Sequence, residues 1–337
     1  MKNIFVHDMV DSAALSLLKA MPGVRVEVVE TNEEEEREFP ATLLADKHIL
    51  FCCLPPKNVR DMVALELIQI SSVGYSQLYG LDLVKKGVRA CNAAGVFDVP
   101  IGEWNMAMMV NLGRNVRGMI RNQEAGVWER RPEFENEMRG RVVGLWGYGG
   151  IGRETARLCK AMGLTVHALT RSGVGPRRNV YCVPGVGDPE GFLPDRCFTI
   201  EHRAEFLAGL DFLVLAMPLT PATRGIIGEA ELKCLPNRAF ILNPARGPLI
   251  QEEALVRALE QGWIAGAALD THYHYPMPAD HPLWRFPNVI MTPHISGSTM
   301  GPNFKARMWD IFSQNVRRFL AGQPLLNELT PVQLSGG

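Results

Sequence analysis

No apolar run in this chain approaches the ~20 residues that cross a bilayer; the longest, Phe212 to Met217 and Trp263 to Leu269, are the size of strands. A membrane-spanning helix is therefore not expected. An excess of either charge is also lacking, since 35 Lys and Arg stand against 36 Asp and Glu, and nothing in that balance draws the protein to nucleic acid or anionic lipid. The seven cysteines, at 52, 53, 91, 159, 182, 197 and 234, form no CxxC pair. Odd in number and scattered, they argue for reduced thiols over a disulfide framework or a zinc site. The opening MKNIFVHDMVDS has Asp8 and Asp11 but no apolar signal core, which reads as the start of a mature cytoplasmic protein. What remains is 337 residues, 47% hydrophobic and 21% charged, enough for a globular protein of about two domains.

The first third alternates short apolar runs with helical stretches: Asn3 to His7, Ser12 to Met21, Val24 to Val29, His48 to Cys52 and Ile68 to Ser72. That alternation predicts a parallel α/β layer. The acidic run Glu33 to Glu36 reads as a solvated loop or helix start without functional weight. From Pro100 to Gln123 the spacing predicts one long amphipathic helix whose Met106, Met108 and Met109 belong to the core. A second series of strands is expected at Arg141 to Trp146, Leu164 to Leu169, Phe212 to Met217, Ala239 to Asn243, Gly266 to Asp270 and Val289 to Thr292. Gly173 to Thr199, rich in Gly, Pro and Arg, is too long for an ordinary connection and reads as an insertion. A last helix, Asn303 to Leu320, is stopped by Gly322 and Pro324.

The segment RVVGLWGYGGIG, residues 141–152, is an apolar strand running into G-x-G-x-x-G, with a helix and a new strand behind it. In that context Gly147 makes the tight turn, Gly149 lets a pyrophosphate approach the backbone, and Gly152 packs helix on strand, with the helix N-terminus facing the anion. Tyr148, Gly149, Gly150 and Ile151 are the expected phosphate contacts. A carboxylate that would hold the ribose hydroxyls of NAD is expected about 20 residues on, where this chain has Thr170, Arg171 and Ser172. With no acid there and Arg177 and Arg178 nearby, a 2′-phosphate would meet a cation, so NADP(H) is expected to be preferred and NAD(H) to remain usable.

Later segments carry a family likeness. Met217-Pro218-Leu-Thr-Pro-Ala-Thr223, Asn243-Pro244-Ala245-Arg246-Gly247, Ala-Leu-Asp270 and Thr292-Pro-His294-Ile-Ser-Gly297 resemble the NAD(P)-dependent D-2-hydroxyacid dehydrogenases. Val73-Gly74-Tyr75 and Gly102-Glu103-Trp104 extend the resemblance over almost the whole chain. It implies that His294 is the acid/base, a role suited to a side chain titrating near neutrality, and that Arg246 grips the carboxylate of a 2-keto acid. It also places Val73 and Gly74 amides on the substrate and Asp270 at the nicotinamide end, with Met217, Pro218, Thr223, Pro244, Ala245 and Gly297 lining the cofactor. A homodimer built through the cofactor domains is implied as well.

One residue departs from the pattern. Where the family usually carries a Glu behind the histidine, this chain has Tyr275, twenty-nine residues after Arg246. A phenol brings no negative charge, so His294 is expected to be a weaker base than in relatives. The stretch from Tyr275 to His294 also looks like the formate dehydrogenase branch, but that branch needs an Asn where this chain has Phe97. Phe97, Tyr75, Trp104 and Tyr275 suggest instead an apolar pocket for a bulkier 2-keto acid. A dinucleotide-sensing member without turnover, as in the family's co-repressor relatives, is the reading from another class. His272, His274 and His281 read as incidental loop histidines, and no metal is expected.

The expected architecture is α/β, with two doubly wound parallel sheets: a Rossmann-type dinucleotide-binding domain over 98–295, inserted into a flavodoxin-like substrate domain of 1–97 and 296–337. A cleft between two such domains is where substrate and nicotinamide would meet.

Overall fold

The computed structural model describes residues 1–31 and 36–335, so the acidic run lies outside the described residues except for Glu36. The chain divides into two compact units, one of Met1–Phe97, Arg178–Val183 and Thr299–Gly337, the other of Asp98–Arg177 and Pro184–Ser298. Both are α/β with parallel sheets. Among the described residues no helix is long and apolar enough to cross a membrane.

The first unit holds β1 (Lys2–His7), β2 (Val24–Val28), β3 (Ile49–Cys52), β4 (Leu67–Ile70) and β5 (Arg89–Cys91), in the order β2-β1-β3-β4-β5. This is the flavodoxin-like order. Every residue of β3 and β4 is buried, as expected of strands covered by helices on both faces, and such strands appear in sequence as short unbroken apolar runs. The helix Ser12–Lys19 starts where the Asp11 carboxylate accepts the Ala14 N–H at 2.9 Å. The long helix Pro302–Leu320, which a short helix Pro331–Leu334 follows where the sequence reading expected none, lays Phe312 on Phe51, ring centroids 4.3 Å apart, with Trp309 edge-on to the same ring. Asn315 on that helix is fully buried and bridges Gln69 of β4 and the Leu326 backbone, so the helix is fixed by hydrogen bonds as well as by apolar contact.

The second unit holds β6 (Val142–Trp146), β7 (Thr165–Leu169), β8 (Arg196–Phe198), β9 (Phe212–Leu215), β10 (Phe240–Asn243), β11 (Gly266–Leu269) and β12 (Val289–Met291). Their order, β12-β11-β10-β9-β6-β7-β8, reverses between β6 and β9, the topological switch point at which doubly wound sheets bind dinucleotides. Helix Asp98–Gly113 packs against helix Gly150–Ala161 behind this edge.

Two expectations are corrected. The single helix over 100–123 is two, because Asn115 turns into the left-handed region at φ 49° and caps a second helix, Val116–Glu124, by accepting the Gly118 N–H. Apolar periodicity continues across that break and concealed it. The segment 173–199, for its part, is more than an insertion: it contains β8, which pairs with β7, and its residues 178–183 pack into the first unit, where Tyr181 is buried and donates to Asp310 at 3.0 Å. Gly95 makes room for it. A Cβ there would lie 2.3 Å from the Tyr181 carbonyl oxygen.

Candidate active site

β6 delivers the chain into the glycine loop, and each glycine meets a different constraint. A Cβ on Gly147 would lie 2.5 Å from the Ala216 carbonyl oxygen, and one on Gly152 equally close to the Gly147 carbonyl oxygen. Those two are required by the protein's own packing. A Cβ on Gly149, whose φ is −76°, would meet nothing within 4 Å. Fold and backbone would both accept a side chain at that position, so a bare Cα at the N-terminus of helix Gly150–Ala161 suits a phosphate group coming from outside the chain. Gly150 lies close against Asp98, whose carboxylate a Cβ would strike, and Ile151 follows in the first helical turn.

The Tyr148 side chain turns inward. Its hydroxyl donates to Asp188 at 2.7 Å, and burial together with that carboxylate pushes the phenol well above its ordinary pKa. At the end of β7, Thr170 donates its N–H to Phe198, while its hydroxyl is buried without a hydrogen-bond partner. Arg171 and Ser172 beside it are exposed. An orphaned hydroxyl with a cation next to it, on the second strand of the switch point, fits the ribose end of a dinucleotide.

The candidate reactive side chains lie on loops that leave the C-terminal ends of β9 to β12. After β9 come Met217 and Pro218, where the Thr223 hydroxyl closes the turn by donating to the Pro218 carbonyl at 2.8 Å and accepting the Thr220 N–H at 2.8 Å. After β10 the Asn243 side chain folds Pro244-Ala245-Arg246 into a tight loop, accepting the N–H groups of Ala245 and Arg246 and donating to the Arg246 carbonyl. Arg246 is exposed, one guanidinium nitrogen resting on the Ala245 carbonyl at 2.7 Å. Gly247 lets this loop lie against the next, since a Cβ there would be 2.5 Å from the His272 carbonyl.

After β11, Asp270 is completely buried, and its carboxylate faces into the loop that follows β12. That loop carries His294, exposed and at φ 57°, a conformation uncommon outside glycine and found at strained functional positions. Tyr275 does stand beside it, with ring centroids 5.6 Å apart, and its hydroxyl accepts the His272 N–H at 3.2 Å. Gly297 ends the same loop. In the other unit, Asn92 donates to the Val73 carbonyl and Ser72 to that of Gly74, which orients both peptide planes. Phe97 packs on Phe304 as part of that unit's core, centroids 5.3 Å apart.

Three contributors escaped the sequence reading. Trp104, taken there as pocket lining, sends its indole N–H to the Thr292 hydroxyl at 3.2 Å. Thr292 itself links β12 to Asp270. His272, set aside as incidental, is buried, with Nε2 2.8 Å from the Thr292 carbonyl and Nδ1 lacking a partner. Its position two residues after Asp270, at a strand end, was the available signal. His281 meets Glu252 at 2.7 Å, and among the described residues no group of three or more His, Cys, Asp or Glu could hold a metal ion.

Comparison with known proteins agrees with this geometry. Residues 106–296 match the profile described as D-isomer specific 2-hydroxyacid dehydrogenase, NAD binding domain. A glyoxylate reductase of Thermofilum pendens is 28% identical over 334 residues, covering 95% of this chain and 92% of the relative. Among solved structures, a D-isomer specific 2-hydroxyacid dehydrogenase family protein of Aeromonas salmonicida superposes with a TM-score of 0.78 at 26% identity, over 98% of this chain and 99% of the other. A D-isomer specific 2-hydroxyacid dehydrogenase of Xanthobacter autotrophicus, solved with NADPH and MES, gives 0.74 at 25% identity over 99% of each chain.

Proposed function

This chain belongs to the D-isomer specific 2-hydroxyacid dehydrogenase family, and from that premise we propose that it is an NADPH-preferring reductase of 2-keto acids, with His294 and Arg246 as its catalytic pair. One observation carries the reading: the loops bearing Arg246 and His294 leave β10 and β12, the two strands that flank β11, at the C-terminal end of one sheet, the end on which the glycine loop opens. The dinucleotide, when bound, supplies the hydride. Arg246 presents a planar fork that pairs with the carboxylate of the keto acid and fixes which face of the carbonyl is offered. Protonated His294 gives its proton to the carbonyl oxygen as that oxygen gains charge, and Tyr275 packs against the ring to limit its orientations.

The preference for NADPH rests on Thr170, Arg171 and Ser172 at the end of β7, where a 2′-phosphate finds no carboxylate to repel it and an exposed guanidinium to pair with. Glyoxylate and hydroxypyruvate are the first substrates to try, since relatives named for reducing them are similar over most of the chain.

The test is to follow oxidation of NADPH, and separately NADH, with purified protein and keto acids from glyoxylate to phenylpyruvate, with formate and the oxidised cofactors as a further arm. Turnover of a keto acid with NADPH favoured is the expected result, and Arg246→Ala should lower kcat/KM about a hundredfold or more. Tight dinucleotide binding without turnover of any compound would overturn the assignment, and turnover of formate alone would redirect it.

A further inference from the structure

An indole N–H can only donate a hydrogen bond, and this fixes the direction of a chain of contacts running from the helix Asp98–Gly113 to the loop of His294. Because Trp104 Nε1 lies 3.2 Å from Thr292 Oγ1, the threonine oxygen must accept there. Its own proton is then directed to Asp270 Oδ1, 2.5 Å away, the short distance typical of a hydroxyl donating to a carboxylate. The same Oδ1 accepts the Ile295 N–H at 2.9 Å, Oδ2 accepts the Ser296 N–H at 3.0 Å, and the Asp270 backbone carbonyl accepts the His294 N–H at 2.9 Å. From the other side His272 Nε2 donates to the Thr292 carbonyl at 2.8 Å. The segment 292–296 is thus held at both ends while His294 between them keeps its left-handed φ of 57°.

We propose that Trp104, Thr292 and Asp270 form one positioning chain for His294, with the Thr292 hydroxyl as its joint. The proposal rests on His294 being the proton donor of the preceding section. None of the three needs to touch substrate. Their effect is to set where the imidazole sits, and a displacement of that ring by a fraction of an ångström lengthens the path of the proton it delivers. Asp270 has no solvent to replace a lost donor, because it is completely buried, so removing the threonine hydroxyl forces the loop to rearrange around the carboxylate.

Thr292→Val removes the hydroxyl while keeping the shape, Trp104→Phe removes the indole N–H, and Thr292→Ser restores the hydroxyl. Thr292→Val should lower kcat about 10- to 100-fold, with NADPH affinity measured by fluorescence unchanged and with Thr292→Ser near wild type. Trp104→Phe should lower kcat less, and adding it to Thr292→Val should cost nothing further, because its contact passes through the missing oxygen. Wild-type kcat in Thr292→Val, losses that multiply in the double variant, or a fall in NADPH affinity matching the fall in kcat would each overturn the chain. Should Thr292→Val fail to fold, Trp104→Phe and Thr292→Ser decide by the same kcat and affinity criteria. His294→Asn run alongside separates the two readings: full turnover in it removes the assignment of His294, whereas its loss beside an unaffected Thr292→Val removes only the positioning chain.

Discussion

Tyr275 stands where the resemblance implies a glutamate, and the structure shows what its side chain touches. The phenol ring lies against His294, with its hydroxyl receiving the His272 N–H, so the neighbour that limits the imidazole is kept while the charge that would stabilise its protonated form is not. Restoring a carboxylate by Tyr275→Glu should favour the imidazolium. With His294 as the proton donor proposed above, reduction needs that form and slows as pH rises, and the substitution should carry the falling limb to higher pH by about one unit. A pH profile of kcat/KM checks this, and a limb that stays in place shows that Tyr275 does not govern the ring. At this scale the sequence was legible where candidate residues sit in short contiguous motifs, as with Arg246 and His294, whose loops the structure places at the C-terminal end of one sheet. It was silent about the Trp104 to Thr292 contact, whose partners are 188 residues apart and meet only once sheet and helix are folded.

Among the elements, the strands other than β5 and β8 were legible to within a residue or two, because parallel strands covered on both faces appear as unbroken apolar runs, whereas those two are three residues long and carry Arg89 and Arg196. Segment 173–199 was not, because its order comes from hydrogen bonds rather than apolar periodicity. Asp188 is the hub: its carboxylate accepts the N–H groups of Gly191, Phe192 and Leu193, each at 3.0 Å, and the hydroxyl of Tyr148. Arg153 adds to this, donating to the Asp188 and Gly175 carbonyls and lying 5.0 Å from the centre of the Tyr148 ring. Through Tyr148 and Arg153 the segment is tied to the glycine loop and the helix behind it. Asp188→Ala leaves the buried Tyr148 hydroxyl and three part-buried N–H groups without their acceptor and should cost about 1–3 kcal/mol of stability in urea unfolding, with Asp188→Asn milder because it keeps an acceptor. Equal stability of Asp188→Ala and wild type would show that the segment is not held in this way.

At the scale of the whole molecule the response to acid should follow the histidines that burial holds below their ordinary pKa, and among the described residues each unit has one, His7 and the half-buried His167. His7 is held below its ordinary pKa by burial, with Arg37 adding to the effect and the Val29 carbonyl opposing it. His167 is lowered by burial and by Arg196, and its Nδ1 is buried without a partner. A folded pKa below the unfolded value of 6.5 means that the unfolded chain takes up the proton first. Their contribution is therefore complete above pH 6.5 and is lost as pH falls through the lower folded values. Asp188 adds a second stage: burial raises its pKa, but its backbone and Tyr148 donors outweigh that and hold it below 3.8, so its contribution persists until pH falls beneath that value. Thermal unfolding should accordingly show a Tm that is level above neutrality, declines from about pH 6.5 downward, and declines again in stronger acid. His167→Gln should flatten the first decline without touching the second, because an amide gains no proton in that range. A Tm independent of pH between 7 and 5, the interval in which a free imidazole takes up most of its proton, would mean that these rings are reached by water in the folded state.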